Sequence, residues 1–149
     1  MSNNLVSKLT SASKLETDED IDLFFDTIQN MALSKNSEYI AIMLSYLDDN
    51  FNTYNDVMST IIGMAETFPA QDYVKAVIQS INPLKTKAAD WLEYIHTGIF
   101  NTESYIEIYK KTFCSIPENE QLIVKDYLTN QFLKNKHEKK DVVEYIISC

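Results

Sequence analysis

The chain has 149 residues, 45% hydrophobic and 23% charged, and its 22 acidic and 13 basic side chains, none of them arginine, give a formal net charge of −9. That apolar content suffices for one packed core and excludes wholesale disorder, while the acidic balance and the lack of arginine argue against nucleic-acid binding. No run reaches the uninterrupted apolar length of a membrane span, and Met1-Ser2-Asn3-Asn4 lacks the basic patch and apolar run of a signal peptide, so a cytoplasmic protein is expected.

Residues 1–16 read as a short, loosely held helix around Leu5, Val6 and Leu9. Thr17, with Asp20 three residues on, has the spacing of an N-cap, although aspartate stands where a capping box has Glu or Gln. The helix it opens, about 18–33, places Ile21, Phe24, Phe25, Ile28, Met31 and Ala32 inward. Ser34-Lys35-Asn36-Ser37 breaks it, and a helix of about 38–48 follows with Ile40, Met43, Leu44 and Leu47 inward. Residues 47–56 are polar, acidic and aromatic and read as a loop.

The next stretch, 56–102, is the organising centre and carries three amphipathic helices. Val57, Met58, Ile61, Ile62, Ala65 and Phe68 repeat at helical spacing, and Tyr73, Val74, Val77, Ile78 and Ile81 do the same. Ala88, Trp91, Leu92, Ile95, His96 and Ile99 form the cleanest stripe. Thr102 is placed to cap a helix marked by Tyr105, Ile106, Tyr109 and Phe113. Pro117 restarts the chain into Leu122, Val124, Tyr127, Leu128 and Phe132. After the basic stretch 134–140, Val142, Val143, Ile146 and Ile147 keep helical spacing, though their β-branching leaves a strand open.

Both glycines, Gly63 and Gly98, fall inside these helical patterns, so no glycine-rich loop is available to cradle a phosphate. Pro69, Pro83 and Pro117 are each read as the head of a helix, where a missing N–H is harmless. Cys114 and Cys149 have no metal-type spacing and are expected as reduced thiols. The whole reads as all-α: a single domain of seven to eight short helices in stacked antiparallel pairs, HEAT-like, with a plain bundle as the competing architecture.

Catalytic and metal constellations are weak. Asp18, Asp20 and Asp22 match positions 1, 3 and 5 of a calcium loop, but Leu23 and Gln29 stand where glycine and glutamate are required, and acids suit a first helical turn. His96 and His137 have no zinc spacing, so no metal or cofactor is expected. A Cys114–His96 nucleophilic pair lacks any activating signature. His96 and Trp91 are therefore assigned to scaffolding.

Charge is more informative. Residues 1–72 hold 12 acidic and 3 basic side chains, whereas residues 73–149 hold 10 of each. The entire excess belongs to the first half, and a basic partner is its natural complement. Asp48, Asp49, Asp56, Glu66 and Asp72 are the expected electrostatic contacts. Phe51 and Tyr54, set among acids, are the expected aromatic anchors. Asp48→Lys with Asp49→Lys is expected to slow complex formation while leaving helicity intact.

Two blocks resemble the immunity protein 30 family. One is Ile61-Ile62-Gly63-Met64-Ala65-Glu66-Thr67-Phe68 with Tyr73 and Val74. The other is Ala89-Asp90-Trp91-Leu92-Glu93-Tyr94-Ile95-His96, continued by Ile99-Phe100-Asn101-Thr102-Glu103-Ser104-Tyr105. The resemblance implies a small helical antitoxin of a bacterial polymorphic toxin system, which binds its cognate toxin and blocks it without catalysis. A helical adaptor for another basic protein would use the same acidic surface. A small all-α enzyme would instead show a deep pocket collecting His96, Cys114 or several carboxylates.

Overall fold

The computed structural model describes residues 3–50, 55–134 and 138–149. Among the described residues the secondary structure is entirely helical: α1 (Asn3–Ala12), α2 (Asp18–Leu33), α3 (Glu38–Leu44), α4 (Asn55–Ala65), α5 (Ala70–Lys87), α6 (Ala89–Phe100), α7 (Glu103–Ser115), α8 (Glu118–Leu128) with a π-helical turn Thr129–Leu133, and α9 (Lys140–Ile146). That is nine α-helices among the described residues, and the Val142–Ile147 stretch resolves as helix rather than strand.

The helix starts follow local chemistry. Thr17 accepts a hydrogen bond from the Asp20 N–H at 3.1 Å, and Asp20 Oδ2 accepts one from the Glu16 N–H at 3.1 Å, so both orphan donors are satisfied. Thr102 also precedes a helix but makes no side-chain cap. Pro69 and Pro117 stand immediately before α5 and α8. With both glycines inside helices, the reversals after α1 and α2 use Leu15 (φ 51°) and Lys35 (φ 60°), left-handed positions that glycine usually fills.

Pro83 corrects the expected boundary: it lies inside α5, which runs unbroken from Ala70 to Lys87. Proline removes one helical hydrogen bond, at about 3 kcal/mol. Tyr73, Val74, Val77, Ile78, Ile81 and Leu84 are all buried on either side of it, and a stripe of that length offsets the loss. In the other direction, α3 stops at Leu44, four residues short of its expected end.

Contacts in the first half link alternate as well as successive helices. α1 lies on α2, α2 on α4, α4 on α3, and α3 on α5. α5 is the hub, touching α3, α6, α7 and α8, while α9 packs on α7 and on the π-helical turn. The buried apolar side chains form one continuous cluster running from Leu9 and Ala12 of α1 to Val143 and Ile146 of α9. Leu122 is the exception to the expected stripe of α8, being 63% exposed.

The two cysteines, expected as free thiols, form a disulfide. Their Cα atoms are 5.8 Å apart, within the range a bridge requires, because α9 returns onto α7. Spacing alone could not show this, since the two lie 35 residues apart. Lys110 donates to the Tyr145 carbonyl at 2.6 Å, and the Tyr145 hydroxyl donates to Glu107 at 2.8 Å, holding the same two helices together.

Candidate functional site

The inward stripe of α6 is Leu92, Ile95, His96, Ile99 and Phe100, and His96 sits at its centre with no exposed surface. Its Nδ1 lies 2.8 Å from the Leu92 carbonyl and its Nε2 2.9 Å from the Tyr109 hydroxyl. A carbonyl only accepts, so Nδ1 carries the proton and Nε2 accepts from Tyr109. The rings of Phe100, Tyr109, Tyr127 and Phe132 pack around it at 5.1–6.4 Å between centroids. Burial lowers its pKa to about 4, so it is neutral at pH 7. Both nitrogens are occupied, which makes His96 scaffold and leaves no basic nitrogen for nucleophilic or metal chemistry. Cys114 is in the disulfide, which removes the other half of the Cys114–His96 pair.

The Asp18–Asp22 run forms the opening turns of α2 rather than a loop. Among the described residues, no cluster of three or more His, Cys, Asp or Glu side chains could hold a metal. No described helix is long and apolar enough to cross a membrane.

The expected contact residues fall in several places. Phe51 and Tyr54 lie outside the described residues. Asp49 is engaged with the fold: its Oδ2 accepts from the Asp90 N–H at 2.9 Å and its Oδ1 from the Trp91 N–H at 3.4 Å. It caps α6 from 41 residues away, where Ala88 supplies no side-chain cap. The Asp49 N–H donates to the Lys87 carbonyl at 2.9 Å, and Lys87 Nζ donates to the Ser45 carbonyl, closing a clasp between the end of α3 and the α5–α6 junction. Asp48 accepts from the Asn50 N–H at 2.8 Å and lines a small cavity with Lys87 and Tyr46.

Asp56 is exposed in the first turn of α4. Glu66 follows the last turn of the same helix, about 15 Å away along its axis. Asp72 lies on another side, in a cavity of about 340 Å³ between α3 and α5, together with Glu38 and Lys75. Lys75 and Gln79 also border a second cavity of about 290 Å³ between α5 and α8, whose walls include Asn82, Glu120 and Ile123. The five described acids thus do not form one patch: Asp48 and Asp49 adjoin the α5–α6 junction, Asp56 and Glu66 stand at opposite ends of α4, and Asp72 lies between α3 and α5.

Glu66 differs from the others. It lines a cavity of about 260 Å³ between α4, α5 and α6, with Tyr73, Tyr94, Thr97, Gly98 and Asn101. The cavities of Asp48 and Asp72 each contain a lysine, whereas this one has none in its walls. Burial raises the Glu66 pKa, and the Tyr73 hydroxyl is pushed up first by burial and then by the Glu66 charge. The sequence pointed to Glu66 by charge but missed Tyr94. That residue lies off the buried stripe of α6, 59% exposed, its ring set edge-on to Trp91 at 5.7 Å. An aromatic on the polar side of an amphipathic helix is the signal that could have found it.

A family model described as Immunity protein 30 matches residues 11–109, two thirds of the chain, from the end of α1 into α7. All the residues named around Glu66 fall within that span. No curated protein and no solved structure matches the chain significantly.

Proposed function

Because the chain belongs to the immunity protein 30 family, we propose that it is a cytoplasmic antitoxin that binds a cognate toxin domain stoichiometrically and blocks it without catalysis. One domain of stacked, HEAT-like helix pairs presents the binding surface, and the packing of alternate helices, α2 on α4 and α3 on α5, supports that arrangement. The observation that carries the reading is electrostatic. Residues 1–72 hold the whole acidic excess. Among the described residues none of those acids is in an ion pair; a pair that does form, Lys140–Glu144 at 4.0 Å, is in α9. An unneutralised field of this kind steers a cationic partner and weakens with salt.

Asp48, Asp56, Glu66 and Asp72, which do not form one patch, are proposed to act on the toxin through their summed field, with Phe51 and Tyr54 as the proposed aromatic anchors. Asp49 contributes to the same field while capping α6, so Asp49→Lys would disturb the fold as well as the charge. The test therefore uses Asp56→Lys with Asp72→Lys, and the product of the adjacent reading frame as partner. Association is followed at low and high salt. The double substitution is expected to slow association by about tenfold at low salt and to flatten its salt dependence, with the far-UV spectrum unchanged. An association rate that ignores both salt and charge reversal would remove the basis for this reading.

A further inference from the structure

The cavity around Glu66 has the composition of a receptor for a cation. Its walls supply a carboxylate, two tyrosine rings, the open space beside Gly98 and the side chain of Asn101. A β-carbon built on Gly98 would meet nothing within 4 Å, so the lumen reaches the helix backbone there. Tyr73 is 2% exposed, and its hydroxyl is not sealed from solvent: the buried side-chain atom without a hydrogen-bond partner among the described residues is the Tyr127 hydroxyl. The Tyr73 ring is held edge-on to Tyr105 at 6.1 Å, so the side chain is fixed without the hydroxyl being used. The Glu66 carboxylate is without a hydrogen-bond or ion-pair partner among the described residues.

The Glu66 carboxylate is exposed and the Tyr73 phenol borders the same cavity, so they form a polar set that water rather than protein completes; a side chain filling the cavity displaces that water and has to replace its hydrogen bonds. Such a side chain must donate hydrogen bonds, carry positive charge and tolerate aromatic faces. A basic side chain meets all three conditions: an ammonium or guanidinium pairs with the carboxylate, donates to the phenol oxygen and lies against the tyrosine rings. An anion would meet Glu66, and an apolar side chain would leave both polar groups buried and unmet. The roughly 260 Å³ available suits one such side chain rather than a drug-sized ligand.

We infer that this cavity is a socket for a single lysine or arginine side chain presented by the protein partner, with Glu66 as counter-ion and Tyr94 as the ring at its mouth. The inference rests on the antitoxin reading for the identity of the partner, but the chemistry of the socket does not.

The test has two arms. In the first, the full chain is titrated with the Nα-acetyl amides of arginine, lysine and citrulline, and the backbone amide signals of Thr97, Gly98 and Asn101 are followed together with Trp91 fluorescence. The two cationic probes are expected to give saturable shifts at these amides at millimolar concentrations. The neutral citrulline probe, similar in shape, is expected to bind about tenfold more weakly, and Glu66→Gln to weaken the cationic probes by about tenfold. No saturable shift at these amides, or equal binding of citrulline, overturns the socket whatever the toxin does.

In the second arm, Glu66→Gln and Tyr94→Ala are assayed against the product of the adjacent reading frame, each first shown to keep the wild-type urea midpoint. A loss of affinity of tenfold or more for each supports insertion of a basic side chain. Wild-type affinity in both overturns the assignment to the interface, while the antitoxin reading stands. If the adjacent product binds no version of the chain but the cationic probes still bind, the antitoxin reading fails and the socket chemistry is upheld.

Discussion

His96 of α6 and Glu66, just past α4, are two ionisable groups that each lie beside aromatic rings, and they are opposites. His96, on the inner face, has both nitrogens hydrogen-bonded and no access to solvent. Glu66, across the outer face, looks into an open cavity with Tyr73 and Tyr94 and has no partner among the described residues. A third group, Asp49, sits at the N-terminus of α6 with its carboxylate oxygens on two backbone N–H groups. Aromatic surroundings alone therefore do not separate scaffold from site. Satisfaction does: a polar group whose partners are all internal belongs to the fold, and one left open to solvent is free to meet something else.

The contrast is broken or sharpened by substitution. The largest effect is expected from His96→Ala, which opens a void among Phe100, Tyr109, Tyr127 and Phe132 and leaves the Tyr109 hydroxyl unpaired. A loss of about 4 kcal/mol in urea unfolding is expected, and a loss below about 1 kcal/mol would show that His96 is not the structural centre. Next comes pH. The His96 pKa is about 4 in the folded chain and about 6.5 when unfolded. Between those values the unfolded chain binds a proton that the folded one does not. The contribution of His96 to stability is thus complete above about pH 6.5 and is lost as pH falls toward 4, by roughly 3 kcal/mol in all. Glu66, with its raised carboxyl pKa, works in the opposite sense over the acidic range. Urea midpoints at pH 7 and pH 4, compared between wild type and His96→Gln, isolate the histidine part.

Asp49→Ala removes the cap of α6 and is expected to cost about 1–2 kcal/mol, read by the same unfolding curves. Tyr127 tests the rule from the other direction. Its hydroxyl is buried beside His96 with no hydrogen-bond partner among the described residues, so Tyr127→Phe is expected to stabilise by up to about 1 kcal/mol. The smallest effect belongs to Glu66→Gln, within about 0.5 kcal/mol of wild type. A large loss there would mean that Glu66 supports the fold and that the difference between the two faces of α6 has been drawn in the wrong place.

Much of the helical layout was legible because it is local. Apolar side chains at helical spacing predicted α2, α4, α6 and α7, and they marked His96 as a stripe residue rather than a catalyst. The Thr17 cap was readable from three residues. Where several local signals competed, the rank order failed: Pro83 reads as a boundary, yet burial along α5 carries the helix through it. Leu122 sits in an apolar run and still faces solvent.

Charge totals identified the acidic half, and Glu66 within it, without saying which carboxylates were already engaged. Asp48 and Asp49 are adjacent in sequence, but only Asp49 reaches the α6 N-terminus, because the end of α3 returns to the α5–α6 junction. The cavity needed Glu66, Tyr73 and Tyr94 from three helices, and the disulfide needed α9 to lie on α7. Sequence by itself determined the helices, the buried stripes and the sign of the charge, because these depend on neighbours within a few turns. Tertiary structure alone decided which polar groups meet and which remain open, because that depends on where distant helices come to rest against one another.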